Sequence, residues 1–183
     1  VNQHNFGKTI LLFLFLVVPS IAVASHAKHP SVDSEDICLV SAYYSPHGGS
    51  AQKVVALLNS AHKEIRLAIY SLTHPNLVQA LVDAKSRGVD VAIKADKLQS
   101  SGKSQKAMLK LLSSTGISVE ISDQSRLLHH KFVVVDRKLV ATGSFNWTVG
   151  GEDRNRENLV VLECDAIAQS FLAEWNLIQR NKP

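Results

Sequence analysis

Residues 129–146, HHKFVVVDRKLVATGSFN, constrain this chain more than any other stretch. Lys131 to Val135 is a run of β-formers, Asp136-Arg137-Lys138 has the composition of a turn, and Leu139 to Thr142 returns as a second short strand. The expectation is a hairpin with polar residues at both ends. Side chains alternate along a strand, so His129 and Lys131 share one face. A nucleophile or base and a fixed positive charge, two positions apart, can then meet the same phosphate. Gly143 lets backbone approach closely at the strand's end. Ser144 and Asn146 can donate hydrogen bonds to phosphate oxygens.

Around this hairpin, strand-like and helix-like runs alternate. Strands are expected at 37–44, 64–70, 89–95, 117–121 and 158–164. Helices are expected from Ser50 to about Ala61, from about Asn76 to Arg87, and from about Ser104 to Ser114. Ser50 is expected to cap the first of them, and Gly88 to end the second. A final helix is expected after Asp165, read as its cap, with Ile167, Phe171, Trp175 and Ile178 along one face. Segments 96–103 and 148–155 read as loops. The pattern predicts an α/β fold, a mixed and mostly parallel sheet flanked by helices on both faces. The hairpin at Asp136 is what makes the sheet mixed.

The first 24 residues read as a secretory signal peptide rather than as part of this fold. Lys8 supplies a positive start, Thr9 to Val18 an apolar run ended by Pro19, and Ala22-Val23-Ala24 a cleavage site. The formal charge of +4 would drop to +3 on cleavage, because Lys8 leaves and no acidic residue goes with it. Residues 25–36 read as a polar lead-in and 37–183 as one domain. A mild basic excess is compatible with a polyanionic partner without demanding one. Cys38 and Cys164 are the only cysteines. In an oxidising compartment they could form one disulfide, but each falls in an expected strand, where a free cysteine packs as a small apolar residue, and that reading is favoured. Their separation offers no metal-ligand spacing.

The spacing H-x-K-x4-D-x6-G-S-x-N, carried by His129, Lys131, Asp136, Gly143, Ser144 and Asn146, resembles the HKD motif of the phospholipase D superfamily at every fixed position. AIYSLT at 68–73, RGVDV at 87–91, GSFNWT at 143–148 and ENLVVL at 157–162 resemble the superfamily's small Nuc-like bacterial endonucleases. That resemblance implies the phospholipase D-like fold and the following roles. His129 would be the nucleophile on phosphorus, forming a phosphohistidine. Lys131, Ser144 and Asn146 would bind phosphate oxygens. Asp136 would complete the catalytic motif as its structural carboxylate. Glu157 would accept a hydrogen bond from the nucleophilic histidine and hold the ring. Members with one motif build one site from two identical subunits, so a homodimer is implied, with the second His129 protonating the leaving oxygen. Two histidines acting in turn need split pKa values and a bell-shaped pH dependence.

No Asp/Glu cluster with magnesium spacing stands near the motif, so the sequence suggests neither metal nor cofactor. Two Lys131 side chains would offset the charge developing on the phosphoryl oxygens. Three functions remain open: a secreted or periplasmic nonspecific endonuclease acting on DNA or RNA, a phospholipase D acting on lipid headgroups, and a binding module that kept the motif alone. The full catalytic set disfavours the third. Lys94, Lys97, Lys103, Lys106 and Lys110, with Arg126, Arg137, Lys138, Arg154 and Arg156, suit a nucleic-acid backbone. A lipid enzyme would want an apolar rim, and the loops read as polar. Asn146-Trp147-Thr148 is also a glycosylation sequon. A glycan there would block the site, which favours a compartment lacking that modification, such as a bacterial periplasm.

Overall fold

The computed structural model describes residues 38–123 and 126–178. The signal-like segment 1–24 and the lead-in 25–36 lie outside the described residues. The strands are β1 (Leu39–Ser45), β2 (Glu64–Ile69), β3 (Asp90–Ala95), β4 (Ser118–Ile121), β5 (Lys131–Val135), β6 (Leu139–Gly143) and β7 (Glu157–Glu163). The helices are α1 (Ser50–Asn59), α2 (Pro75–Ser86), α3 (Lys97–Ser101), α4 (Lys103–Ser114), α5 (Val149–Asp153) and α6 (Asp165–Leu177). All seven strands form one mixed sheet in the order β1-β7-β6-β5-β2-β3-β4. The β2–β3–β4 side is parallel, joined by helical crossovers, and every other neighbouring pair is antiparallel.

Alternation sorts the strand side chains into two cores. Ile65, Leu67, Ile93, Val133, Val135 and Val161 face α1, α2 and α4 and pack against Leu58, Leu81 and Leu112. Ala68, Phe132, Val134 and Val140 face α6 and pack against Ala168, Leu172, Phe171 and Trp175. Burying one Leu or Phe side chain in such a layer is worth about 1.5–3 kcal/mol. The fold therefore rests on these stripes, and the polar motif residues are left for the strand ends.

Several local expectations are corrected. Ser50 is the first helical residue of α1, not its cap; Gly49 (φ +78) precedes it. The Ala51 amide instead donates to the Glu152 carboxylate at 3.0 Å. Asp165 likewise starts α6 inside the helix, after Cys164. The two loop segments contain short helices, α3 capped by Asp96 and α5 capped by Thr148. Of the two readings open for Cys38 and Cys164, the structure has the less favoured one, a disulfide. The antiparallel pairing of β1 with β7 brings Leu39 opposite Glu163, and hence the two cysteines together. Lys94 is no surface charge. Alternation turns it toward α6, where Nζ donates to the carbonyls of Trp175 and Ile178 at 2.9 Å each, 4.1 Å from the centroid of a Trp175 ring.

Candidate active site

The carboxyl ends of β2, β3 and β6 meet the amino ends of β5 and β7 at one edge of the sheet. Crevices at the carboxyl ends of parallel strands are where α/β folds place their ligands. Lys131 opens β5 there and is largely buried. Its Nζ donates to the His129 carbonyl at 2.7 Å and lies 4.9 Å from the centroid of the Tyr70 ring. The His129 ring meets the same tyrosine edge-on, with centroids 4.6 Å apart. Tyr70 thus gathers the imidazole and the ammonium around one aromatic ring. The His129 side chain is exposed and has no hydrogen bond among the described residues. Burial pushes the Lys131 pKa down, and the carboxylates of Glu157 and Asp96 push back.

Beside them, β6 ends in a close approach of backbone. A Cβ on Gly143 would fall 2.2 Å from the Asn158 carbonyl, and φ there is +154, so only glycine fits. The Ser144 and Phe145 amides both donate to that carbonyl. Ser144 Oγ donates to Glu157 Oε2 at 2.5 Å and accepts from the Asn158 amide at 3.1 Å. Glu157 Oε1 accepts from Asn155 at 3.0 Å. Asn146 Oδ1 is buried with no partner among the described residues.

A family model described as "Cardiolipin synthase, PLD-like domain" matches residues 54–178. The chain belongs to the phospholipase D-like family. It is similar to a phospholipase D of Rickettsia typhi, 33% identical over 148 residues, 81% of this chain and 72% of that protein. It is also similar to the mitochondrial cardiolipin hydrolase of Xenopus tropicalis, 34% identical over 133 residues, 71% of this chain and 61% of that protein. Among solved structures it resembles Nuc from Salmonella typhimurium, a phospholipase D family member. The TM-score is 0.75 and the identity 36%, covering 78% of this chain and 94% of that one. The chain is a phosphodiester hydrolase of this superfamily.

The phospholipase D-like motif residues do not all share one place. His129, Lys131, Ser144, Asn146 and Glu157 lie at the working edge. Asp136, expected in the catalytic set, lies at the opposite end of β5, about 17 Å of strand away. It sits in the hairpin turn with φ +51, and its carboxylate accepts from the amides of His62, Lys63 and Glu64 at 2.8–2.9 Å. Arg137 and Lys138 belong to that far turn too and do not flank the site. Glu157 was expected to hold the nucleophilic histidine. Within this chain it is engaged by Ser144 and Asn155, because β7 lies two strands from β5, about 9.5 Å across the sheet. Ser144, expected to bind phosphate, has its one hydroxyl proton committed to Glu157.

Two residues of the site escaped the sequence. Tyr70 carries no motif signature, and its role follows from the antiparallel pairing of β2 with β5. Asp96 had a readable signal, since Asp96 followed three residues later by Gln99 has the form of a capping box. Among the described residues, no group of three or more His, Cys, Asp or Glu could hold a metal ion.

Proposed function

We propose that this phosphodiesterase is a metal-independent, nonspecific endonuclease that cleaves DNA, and RNA as a further substrate, through a phosphohistidine on His129. Lys131 and Asn146 bind the phosphate, with Ser144 and Glu157 behind them. The observation that carries nucleic acid as substrate is the exposed side of α4. Lys103, Lys106 and Lys110 recur there at helical spacing, with no acidic residue anywhere in the helix. They span about 10 Å of rise, leading away from the working edge. Arg126, Arg154 and Arg156 are exposed on the loops nearer the site. Such a line of cations suits a chain of phosphates better than a single headgroup.

The same edge exposes Leu98 (66%), Leu127 (57%) and Val149 (45%), so the polar rim expected from sequence is only partly polar. These apolar side chains, around an exposed His129, fit a two-fold interface in which a second copy supplies the second histidine. They also favour one alternative, a phospholipase D seated on a lipid surface, as the names of several relatives suggest. The signal-like start and the Cys38–Cys164 disulfide support an exported setting, secreted or periplasmic.

The deciding experiment incubates the purified protein with plasmid DNA, RNA and phosphatidylcholine vesicles, with and without EDTA. Nicking of DNA that persists in EDTA is expected. Replacing Lys103, Lys106 and Lys110 by Gln should weaken DNA binding and flatten its log–log salt slope by about 3. Choline release without nucleic-acid cleavage would turn the assignment to phospholipase D.

A further inference from the structure

Asp96 is 2% exposed at the end of β3, and no step assigned above uses it. Its two oxygens do different work. Oδ1 accepts from the Gln99 amide at 2.9 Å and so caps α3. Oδ2 accepts from the Leu128 amide at 3.1 Å, on the residue just before His129. Its own amide donates to the Ile69 carbonyl at 3.1 Å, beside Tyr70. From the helix it caps, Gln99 Nε2 donates to Tyr70 Oη at 2.9 Å. Gln105, also buried, donates to the Tyr70 carbonyl at 3.2 Å and accepts from the Leu72 amide at 2.8 Å. One buried carboxylate thereby holds the backbone leading into His129 directly and, through the capped helix that carries Gln99, the ring against which His129 and Lys131 rest.

We propose that Asp96 is the positioning residue of the His129–Lys131 pair, fixing the segment into His129 with one oxygen and the Tyr70 support with the other. A neutral cap would serve α3 equally well. A carboxylate buried near an ammonium adds a second effect: it favours the charged form of Lys131 against the desolvation that opposes it. The groups around Lys131 are then Asp96 from the end of β3, Glu157 from β7, His129, and Tyr70 from the end of β2.

This inference rests on the roles proposed above for His129 and Lys131. Its test uses the full chain and bis(p-nitrophenyl) phosphate, a small phosphodiester that avoids the choice between nucleic acid and lipid. Asp96→Asn keeps an acceptor for the helix cap but turns an amide group toward the Leu128 N–H. The expected result is a folded protein whose kcat falls about 10- to 100-fold with little change in KM. Above the limb set by the histidines, the alkaline limb that follows loss of the Lys131 proton should move to lower pH, because Lys131 loses a group that holds that proton. A purely structural Asp96 would leave that limb in place. If Asp96→Asn does not fold, Asp96→Ser, which can still cap α3, is read the same way. Wild-type kcat and an unmoved alkaline limb in either folded variant would overturn the proposal. Turnover retained by His129→Asn would instead remove the underlying roles, so the two failures are distinguishable.

Discussion

Asp136 and His129 sit at opposite ends of the five residues of β5, and their surroundings differ in kind. At the Asp136 end the turn is tied down by polar contacts. Three backbone amides converge on the carboxylate, Lys138 pairs with Glu163 at 2.6 Å, and the Cys164 amide bonds the Lys138 carbonyl. The Cys38–Cys164 disulfide closes the same end of β1 against β7. At the His129 end Ser144 and Glu157 bond each other, but the nucleophile itself is not tied down. His129 has no side-chain hydrogen bond among the described residues, Lys131 Nζ donates to a neighbouring carbonyl, and Asn146 Oδ1 has no donor. Hydrogen bonds made within the chain stabilise the fold, and an exposed imidazole without one is free to meet a substrate. One motif thus supplies a fastened end and a working end, joined by a strand whose residues are all buried.

The sharpest way to break this comparison is to exchange the effects of the two ends. His129→Asn should lower kcat by about 10⁴-fold or more while leaving the melting temperature unchanged, read by turnover and circular dichroism. A large loss of stability in that variant would mean that His129 also fastens the fold. Replacing both cysteines by serine should do the opposite. It frees a link spanning 126 residues of sequence and should cost about 2–4 kcal/mol in urea unfolding, with the kcat of the folded protein retained.

Asp136→Asn is the finer test. It should cost about 1–3 kcal/mol, since it weakens hydrogen bonds to a charged acceptor. Partial burial pushes the Asp136 pKa up, but the amides of Glu64, His62 and Lys63 outweigh it and hold the carboxyl below its usual value. The stability this group supplies is therefore complete above its unfolded pKa, about 3.9, and is lost as pH falls through the lower folded value. The gap between wild type and Asp136→Asn in urea unfolding should shrink as pH falls from about 5 toward 3. A gap that widens on acidification would contradict the assignment.

The two ends also differ in how far sequence reveals them. Spacing alone exposed the motif, and apolar periodicity located the strands and the longer helices, because both signals are local. The split of the motif between two ends follows directly from strand length: residues 131 and 136 must emerge at opposite ends of one extended run. What stayed hidden depends on which strands become neighbours. The disulfide needs β1 beside β7, and the engagement of Glu157 by Ser144 needs β7 beside β6. The burial of Lys94 depends on α6 crossing that face of the sheet. Asp96 was hidden differently. Its cap on α3 is local and readable, but its bond to the Leu128 amide spans 32 residues.

The most direct measurement of the working end is rapid acid-free quenching during turnover of a phosphodiester labelled on phosphorus, followed by peptide mapping. The account predicts label on the peptide carrying His129, absent from His129→Asn and still formed by folded Asp136→Asn. Label on another residue, or steady turnover by His129→Asn, would contradict it.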